Sequence, residues 1–333
     1  MIAVMAAVSA FFVALIFTRS ICRPNSMLHV LDHPNERSLH THPVPRTGGV
    51  AILAGVLVGS IIFEVGSALP HVAQWLLGGA ALVGLLSFMD DRKDLSVHVR
   101  LVGQLACVLL LLIGGGLYPR ELVWPEGVWD WPEWLGLLFG GLFLMWMVNL
   151  YNFMDGMDGF AGGMAVIGFG TLAVFGGIGD NLPYFTFNLV VAGSAFGFLF
   201  FNFPPARIFM GDSGSATLGF LAGGSSVWGA QANIFPFWIA LLVFSPFVID
   251  ATTTLLRRAA HGERIWEAHR SHYYQRLVRS GWGHRKTVVA EYGLMLACSA
   301  SAIFAAHAVA KEQWVVILAW CVIYVGLARN IPK

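Results

Sequence analysis

The stretch WLGLLFGGLFLMWMVNLYNFMDGMDG (residues 134–159) joins an uncharged apolar segment to two aspartates. The apolar part, residues 134–153, has about the 20-residue length that a helix needs to cross the hydrocarbon core of a bilayer. Asp155 and Asp158 follow directly, and a glycine comes after each of them. The stretch therefore predicts a membrane-spanning helix with carboxylates at one end.

The overall composition excludes a water-soluble fold. Hydrophobic residues make up 57% of the 333 residues and charged residues only 12%, with a mean hydropathy of +0.69. Soluble domains carry about 25% charged residues. The four cysteines form no CxxC pair, and we interpret the three in apolar runs, Cys107, Cys298 and Cys321, as small buried hydrophobes.

Ten further segments are apolar over a comparable length, which predicts about eleven transmembrane helices. The predicted spans are 1–18, 48–68, 72–89, 99–117, 134–153, 159–178, 184–204, 214–231, 234–254, 287–308 and 313–328. Gly219, Gly223 and Gly224 in the eighth span suit close helix packing better than exposure to lipid. We therefore predict an all-α polytopic membrane bundle in which residues 1–333 form a single integral-membrane domain, with a retained first helix.

The basic residues predict the orientation of these spans. Of the 20 Lys and Arg residues, all except Arg120 and Lys311 fall in one of the two alternating sets of loops. Because Lys and Arg are enriched in cytoplasmic loops, we expect a periplasmic N-terminus and a cytoplasmic C-terminus in the cell inner membrane. The predicted cytoplasmic loops are about 19–47, 90–98, 154–158, 205–213 and 255–286.

Five aspartates close three of the spans on this same side: Asp90 and Asp91, Asp155 and Asp158, and Asp212. Two carboxylates about 5 Å apart repel by roughly 3 kcal/mol at an effective dielectric of 20. Such a cluster needs bound cations or protonation, and hard oxygen ligands without Cys or His favour Mg²⁺ or Mn²⁺. The alternative is that each acid is a solvated loop charge.

The inner loops carry positive charge that complements a phosphate, the usual partner of a carboxylate-bound divalent cation. Residues 255–287 hold eight Lys or Arg, and AHRSHYYQRL (268–277) combines some of them with histidine and tyrosine. Arginine matches phosphate oxygens, although charge retention on the inner side explains part of this pattern. In the first inner loop, Arg37, His40 and Arg46 are candidates to face a substrate.

Five motifs occur in a single order, with the predicted spans between them. They are D-x-P-N-x-R-x-x-H-x-x-P-V-P-R-x-G-G at 32–49, Asp-Asp at 90–91, N-x-x-N-x-x-D-G-x-D-G at 149–159, F-M-G-D-S-G-S at 209–215 and a basic loop near His272. Over residues 1–328 the chain resembles the polyprenyl-phosphate N-acetylhexosamine-1-phosphate transferases, a glycosyltransferase 4 type family, and looks closest to its bacterial WecA-like and WbpL-like branch.

The resemblance implies an activity and a division of roles. N-acetylhexosamine-1-phosphate would pass from a UDP-N-acetylhexosamine to undecaprenyl phosphate with release of UMP, in the presence of Mg²⁺, as the first membrane step of O-antigen or cell-envelope polysaccharide synthesis. By motif position, Asp212 looks like the main metal ligand with Asn152 nearby. Asp90 and Asp91 match the pair that meets the lipid phosphate, with one of them as a candidate base.

The resemblance also implies a nucleotide pocket. Asp155 and Asp158 match its acids, and Phe209 resembles the aromatic residue that packs on uracil. Many relatives carry H-x-H-H in the last inner loop, where this chain reads H-Y-Y-Q and keeps only His272. Arg270 or Arg276 are the candidate substitutes for the missing diphosphate contacts.

Two alternatives belong to other classes. A secondary transporter would place its acids at mid-membrane, whereas the clustered aspartates lie at one end of their spans. Of the acids deep inside predicted spans, we expect Asp250 to lie nearer the inner face and Glu64 to face the bundle interior. A CDP-alcohol phosphotransferase would need D-G-x-x-A-R, and no A-R follows Asp155 or Asp158. The expected partners are the two substrates and the lipid bilayer, without nucleic acid. Whether the chain forms a homodimer and which sugar it uses stay open.

Overall fold

The structure is a computed structural model that describes residues 1–34, 42–93, 95–264 and 270–332. Its helices are α1 Ile2–Ile21, α2 Gly48–Gly66, α3 His71–Lys93, α4 Val97–Leu109, α5 Glu133–Met154, α6 Phe160–Ile178, α7 Leu182–Asn202, α8 Asp212–Gln231, α9 Phe237–Val243, α10 Ser245–Ala260, α11 Tyr273–Leu277, α12 Gly283–Ala306 and α13 Ala310–Asn330. Short π-helical turns, Leu110–Gly114 and Val278–Trp282, extend α4 and α11. Two antiparallel strand pairs complete it: β1 Leu31–Asp32 with β2 Val44–Pro45, and β3 Glu121–Trp124 with β4 Gly127–Asp130.

Each of the eleven predicted spans contains a helix. Across the described ranges, nine helices are long and apolar enough to cross a membrane, and α9 with α10 makes a tenth if the bent pair is one span. The remaining predicted span corresponds to α8, whose residues Ser213–Gly229 are all buried. Because neighbouring helices cover α8, it does not need a strongly apolar surface. The all-α polytopic bundle is confirmed.

Helix α8 packs against α3 and α5 through its glycines. A Cβ atom at Gly219 would lie 2.4 Å from the backbone oxygen of Met147 on α5, and one at Gly224 would lie 2.1 Å from Leu76 on α3. These contacts confirm the prediction that the glycines of this segment serve close helix packing. The N-terminal end of α8 is thereby brought beside the C-terminal ends of α3 and α5.

Helix α13 lies at the periphery. Trp320 is its only buried residue, whereas Val322 is 72% exposed. An apolar surface of this kind suits contact with hydrocarbon. Cys107 and Cys298 are buried as predicted, but the prediction for Cys321 was wrong, because this residue lies exposed on the uncovered helix.

The predicted span 234–254 is broken by a sharp bend that the sequence analysis did not predict. The chain forms two helices, α9 and α10, bent by 82° around Phe244. Pro246 lies in the first turn of α10 and has no backbone N–H to continue the hydrogen-bond ladder of α9. Beyond the bend, Asp250 of α10 accepts a hydrogen bond from the backbone of Tyr273 at the start of α11.

The prediction for Glu64 was also wrong. Its side chain is exposed at the end of α2 and does not face the bundle interior. The carboxylate accepts a hydrogen bond of 2.6 Å from the backbone N–H of Leu69, so it closes the turn between α2 and α3. A local turn contact therefore explains this acid.

Candidate active site

Asp90 lies in the last turn of α3 and is only 6% exposed. Its Oδ1 accepts a hydrogen bond from the backbone N–H of Leu95 (2.7 Å), and its Oδ2 accepts one from Nη1 of Arg100 (2.9 Å). The helix dipole disfavours a carboxylate at the C-terminal end of a helix. Arg100, in the first turn of α4, supplies the compensating charge.

Asp91 forms a cap for a different helix. Its two carboxylate oxygens accept hydrogen bonds from the backbone N–H groups of Asp212 (3.2 Å) and Ser213 (3.1 Å), the first residues of α8. These N–H groups have no partner within their own helix, and the residue before them, Gly211, has no side chain to offer. Asp91 therefore links the acidic pair of α3 directly to the start of α8.

The loop before α8 is held by the segment around Arg46. The backbone N–H of Phe209 donates to the carbonyl oxygen of Pro45 (2.7 Å), and the guanidinium of Arg46 donates to the carbonyl oxygen of Asp91. Gly211 has φ 73° and ψ 170°, and a Cβ atom there would lie 2.0 Å from the backbone oxygen of Arg46. Only glycine fits this position. Arg37 and His40 of the same motif lie outside the described residues.

A small cleft opens where these helix ends meet. Nη1 of Arg100 lies 2.9 Å from Oδ2 of Asp90 and 3.4 Å from Oδ2 of Asp212, so it bridges carboxylates of α3 and α8. Asn152 of α5 lines the same cleft. About one turn farther along α4 and α5, the side chain of Asn149 donates to Gln104 (3.1 Å) and closes the cleft with a pair of amides.

Asp155 follows the last residue of α5 and is partly buried. Burial raises its pKa well above the ordinary value, and the nearby carboxylates of Asp212, Asp91 and Asp158 raise it further. The structure thus brings the predicted aspartates within electrostatic reach of one another. Their mutual repulsion makes the cluster receptive to a cation.

Asp158 is engaged by neighbouring segments. Its Oδ2 accepts a hydrogen bond from the backbone N–H of Ala206 (3.0 Å), and its Oδ1 lies 3.0 Å from Nδ1 of His284. The backbone N–H of Gly159 donates to Asn202. Asp158 therefore ties the turn after α5 to the loop after α7 and to the start of α12.

The three candidates in the last inner loop occupy different surroundings. His272 is 2% exposed, and its Nδ1 lies 3.2 Å from Oδ1 of Asp250. Arg276 donates to the backbone carbonyls of Pro332 (2.7 Å) and Ile331 (3.0 Å), which places its guanidinium at the C-terminal segment. Arg270 is partly buried beside the part of the loop that lies outside the described residues.

The cleft supplies ligands that suit a hard cation. Asp212, Asn152 and Asp90 line it, and each of these side chains carries an oxygen that could coordinate a cation. Among the described residues, no three His, Cys, Asp or Glu side chains group as a closed metal site. Mg²⁺ is usually bound by one or two carboxylates together with substrate phosphates and water, so an open oxygen set of this kind fits it.

Four residues that we did not predict as site residues take part in this arrangement. Arg100 was counted only as a loop cation, although its place nine residues after the Asp-Asp pair on the same side of the membrane was a usable signal. Gln104, His284 and Asp250 contact site residues from helices distant in sequence. These contacts depend on tertiary packing, and no local pattern marks them.

Comparison with known proteins identifies the family. The sequence profile described as Glycosyl transferase family 4 matches residues 73–230. A Bacillus subtilis (strain 168) protein named probable undecaprenyl-phosphate N-acetylglucosaminyl 1-phosphate transferase is 32% identical over 305 residues, which cover 90% of this chain and 84% of the relative. The Yersinia pestis undecaprenyl-phosphate alpha-N-acetylglucosaminyl 1-phosphate transferase is 29% identical over 314 residues, which cover 87% and 79%.

The name of a third relative specifies decaprenyl phosphate and not undecaprenyl phosphate. The Mycobacterium tuberculosis (strain ATCC 25618 / H37Rv) decaprenyl-phosphate N-acetylglucosaminephosphotransferase is 28% identical over 343 residues, which cover 92% of this chain and 83% of the relative. The matches span the helices that carry Asp90, Asn152 and Asp212, and they confirm the resemblance drawn from the five motifs. The chain belongs to glycosyl transferase family 4, among the polyprenyl-phosphate N-acetylhexosamine-1-phosphate transferases.

Proposed function

We propose that this protein transfers N-acetylhexosamine-1-phosphate from a UDP-N-acetylhexosamine to undecaprenyl phosphate and releases UMP. One observation carries the proposal beyond family membership. Arg100 bridges Asp90 and Asp212 in a cleft that Asn152 also lines, at the meeting point of four helix ends. Opposite charges and hard oxygen ligands in one cleft match the needs of a reaction between two phosphates.

The two acids of α3 take different roles in this proposal. The carboxylate of Asp91 is occupied by the N–H groups of α8, so it positions Asp212. Asp90 lines the cleft and pairs with Arg100, and the positive charge of Arg100 would attract the lipid phosphate to this side. A lipid phosphate is largely ionised near neutral pH and needs little help from a general base. Steering of the nucleophile is therefore the main task of Asp90.

Asp212 and Asn152 would hold Mg²⁺ or Mn²⁺, which when bound would neutralise the diphosphate charge. In the reaction, an oxygen of the lipid phosphate forms a bond to the β-phosphorus of the UDP-sugar, and the bond from that phosphorus to the bridging oxygen breaks. UMP leaves with the electron pair. Arg100, held between Asp90 and Asp212, would contact the transferred phosphoryl group, and catalysis would rest on positioning and charge.

The nucleotide side of the site is assigned to the turn after α5 and the loop before α8. Asp155 lies within electrostatic reach of the other acids, Asp158 holds the turn in place, and Phe209 is the candidate to pack on uracil. Arg46 lies beside the Asp91 backbone, close enough to the cluster to contact a phosphate. His272 and Arg270 are the candidates from the last loop for contacts with the diphosphate, whereas the guanidinium of Arg276 donates to the backbone of the C-terminal segment.

The reaction would take place on the cytoplasmic face of the inner membrane. This orientation follows from the distribution of Lys and Arg, and it places the cleft where nucleotide sugars are made. The whole chain would act as one integral-membrane domain in the first membrane step of O-antigen or other cell-envelope polysaccharide synthesis. A homodimer is compatible with the uncovered helix α13.

Purified protein in detergent tests the proposal. It would be incubated with undecaprenyl phosphate, Mg²⁺ and a panel of UDP-N-acetyl-sugars, and UMP release would be followed. We expect release with at least one sugar, and none from Asp212→Asn, which should still purify as a folded protein. Glu64→Gln, an acid-to-amide change at the end of α2 away from the cleft, is the matched control and should retain activity. Near wild-type turnover by Asp212→Asn would exclude the assigned metal site.

A further inference from the structure

Asp250 collects an unusual number of hydrogen bonds at the start of α11. It is 7% exposed on α10, and its Oδ1 accepts from the backbone N–H of Tyr273 (2.9 Å) and lies 3.2 Å from Nδ1 of His272. Its Oδ2 accepts from the backbone N–H of Tyr274 (3.1 Å), and Thr254 donates to Oδ1 (3.2 Å). One buried carboxylate therefore fixes both the backbone and the histidine of this segment.

Tyr274 extends this attachment to the acidic turn after α5. Its side chain is fully buried, and its hydroxyl donates to the carbonyl oxygen of Phe153 (3.2 Å). A Cβ atom at Gly156 would lie only 2.2 Å from the same hydroxyl. Phe153 lines the aspartate cleft, and Asp155 lies between the two points of contact. The hydroxyl of Tyr274 thus supports the backbone on both sides of Asp155.

The ring of His272 also lies against Phe153. It stacks on Phe153 with ring centroids 6.5 Å apart and an interplanar angle of 25°. Two side chains that Asp250 fixes, His272 and Tyr274, therefore both contact Phe153. Phe153 lines the cleft, whereas Asp250 does not, so Asp250 would act on the site through the residues that it holds.

We propose that Asp250 is a positioning residue for the UDP-sugar side of the site, acting through Tyr274 and His272 on the turn that carries Asp155. The inference rests on the proposed function for the identity of the substrate. Asp250 fixes the start of α11, Tyr274 then fixes the backbone around Asp155, and the turn keeps the geometry that binds the nucleotide diphosphate. The lipid-phosphate side is built on α3 and α4, where Asp90 is held by Leu95 and Arg100, so we expect it to change less than the turn that carries Asp155.

The direction of the change in UDP-sugar affinity distinguishes a positioning role of Asp250 from a simple effect of its charge. Asp250→Asn removes a negative charge near a site for an anionic substrate, and Coulomb's law alone would then tighten UDP-sugar binding. Positioning predicts the reverse. The amide keeps one acceptor oxygen but turns an NH₂ group toward a backbone N–H of α11, so at least one cap hydrogen bond is lost.

The test compares Asp250→Asn, Tyr274→Phe and the double variant with wild type and Glu64→Gln. Michaelis constants would be measured separately for the UDP-sugar and for undecaprenyl phosphate, and UDP-sugar binding would be measured by calorimetry. We expect Asp250→Asn to raise the UDP-sugar KM about tenfold, as loss of about one hydrogen bond implies, with the lipid KM unchanged within about twofold. Tyr274→Phe should act in the same direction. In the double variant the UDP-sugar KM should rise by less than the product of the two single increases, because both substitutions act through one contact.

Several results would overturn the inference. They are a UDP-sugar KM that stays unchanged or falls in a folded Asp250→Asn protein, equal increases in both Michaelis constants, or fully multiplicative effects in the double variant. Tyr274→Phe removes only a hydroxyl and keeps the ring packing, so it provides the test if Asp250→Asn fails to fold. Intact UDP-sugar binding without any turnover by wild type would instead refute the proposed function and leave the binding comparison valid.

Discussion

Asp91→Asn should destabilise the start of α8, whereas Asp90→Asn should not. The two aspartates are neighbours in sequence and equally buried, yet they serve different helices. Asp91 accepts the N–H groups of Asp212 and Ser213, while Asp90 accepts from Leu95 and Arg100. Comparing the two variants therefore tests whether Asp91, and not Asp90, caps α8.

The magnitude follows from the contacts. Loss of a helix cap costs about 0.5–2 kcal/mol, and loss of a negative charge at a helix N-terminus costs about 0.3–1 kcal/mol. Because the amide introduced by Asp91→Asn would retain one acceptor oxygen, we expect a total of about 1–2 kcal/mol. Asp90→Asn keeps the acceptor for Leu95 and loses an ion pair with Arg100, whose side chain is 38% exposed, so about 0–1 kcal/mol is expected.

Thermal unfolding in detergent, in the presence of a chelator, measures this difference. A change of 1 kcal/mol shifts the midpoint of domains of 150–250 residues by about 2–4 °C. Asp91→Asn should therefore unfold about 2–8 °C below wild type, and Asp90→Asn by less than Asp91→Asn and no more than about 4 °C below wild type. Equal loss in both variants, or a larger loss in Asp90→Asn, would refute the assignment of Asp91 as the cap of α8.

Three further predictions concern the same cluster. Burial and neighbouring carboxylates raise the pKa of Asp155 in the folded protein. Between the pKa of the unfolded chain and that of the folded protein, only the folded protein keeps this proton. Without divalent cations, the free energy of unfolding should therefore fall as the pH rises through this range. Asp155→Asn should raise the melting temperature at alkaline pH and flatten its dependence on pH, measured without divalent cations. Arg100→Lys keeps the charge but loses the planar guanidinium that bridges two carboxylates, and kcat/KM should fall about tenfold, with a larger loss in Arg100→Gln. Gly211→Ala should abolish activity, because the backbone conformation alone costs about 1–3 kcal/mol and the new Cβ atom meets the carbonyl of Arg46, whereas Gly170→Ala, in open space, should be tolerated.

The membrane bundle could be predicted because its signal is local. An apolar run of about 20 residues has few folded alternatives in a bilayer, and each predicted span contains a helix. The packing glycines of α8 were predictable for the same reason, since small residues in an apolar run favour close helix approach. The bend at Phe244 was missed because apolar length alone does not distinguish one straight helix from two bent ones, although Pro246 was a usable signal.

The composition of the site was partly predictable, and its internal contacts were not. Motif order and topology placed Asp90, Asp91 and Asp212 on one side of the membrane. The capping of α8 by Asp91, the bridge made by Arg100 and the attachment of α11 by Asp250 join residues far apart in sequence. Such contacts arise from tertiary packing, and residue type alone does not reveal them.

The position of the phosphorus label in the product tests the central claim most directly. The UDP-N-acetyl-sugar that supports UMP release would carry a radioactive β-phosphate and be incubated with the purified protein, undecaprenyl phosphate and Mg²⁺. Phosphoryl transfer through the cleft of Asp90, Arg100 and Asp212 predicts that the label moves quantitatively into the lipid product, with one unlabelled UMP released for each lipid formed. Label retained in released UDP would show transfer of the sugar alone and would contradict the account.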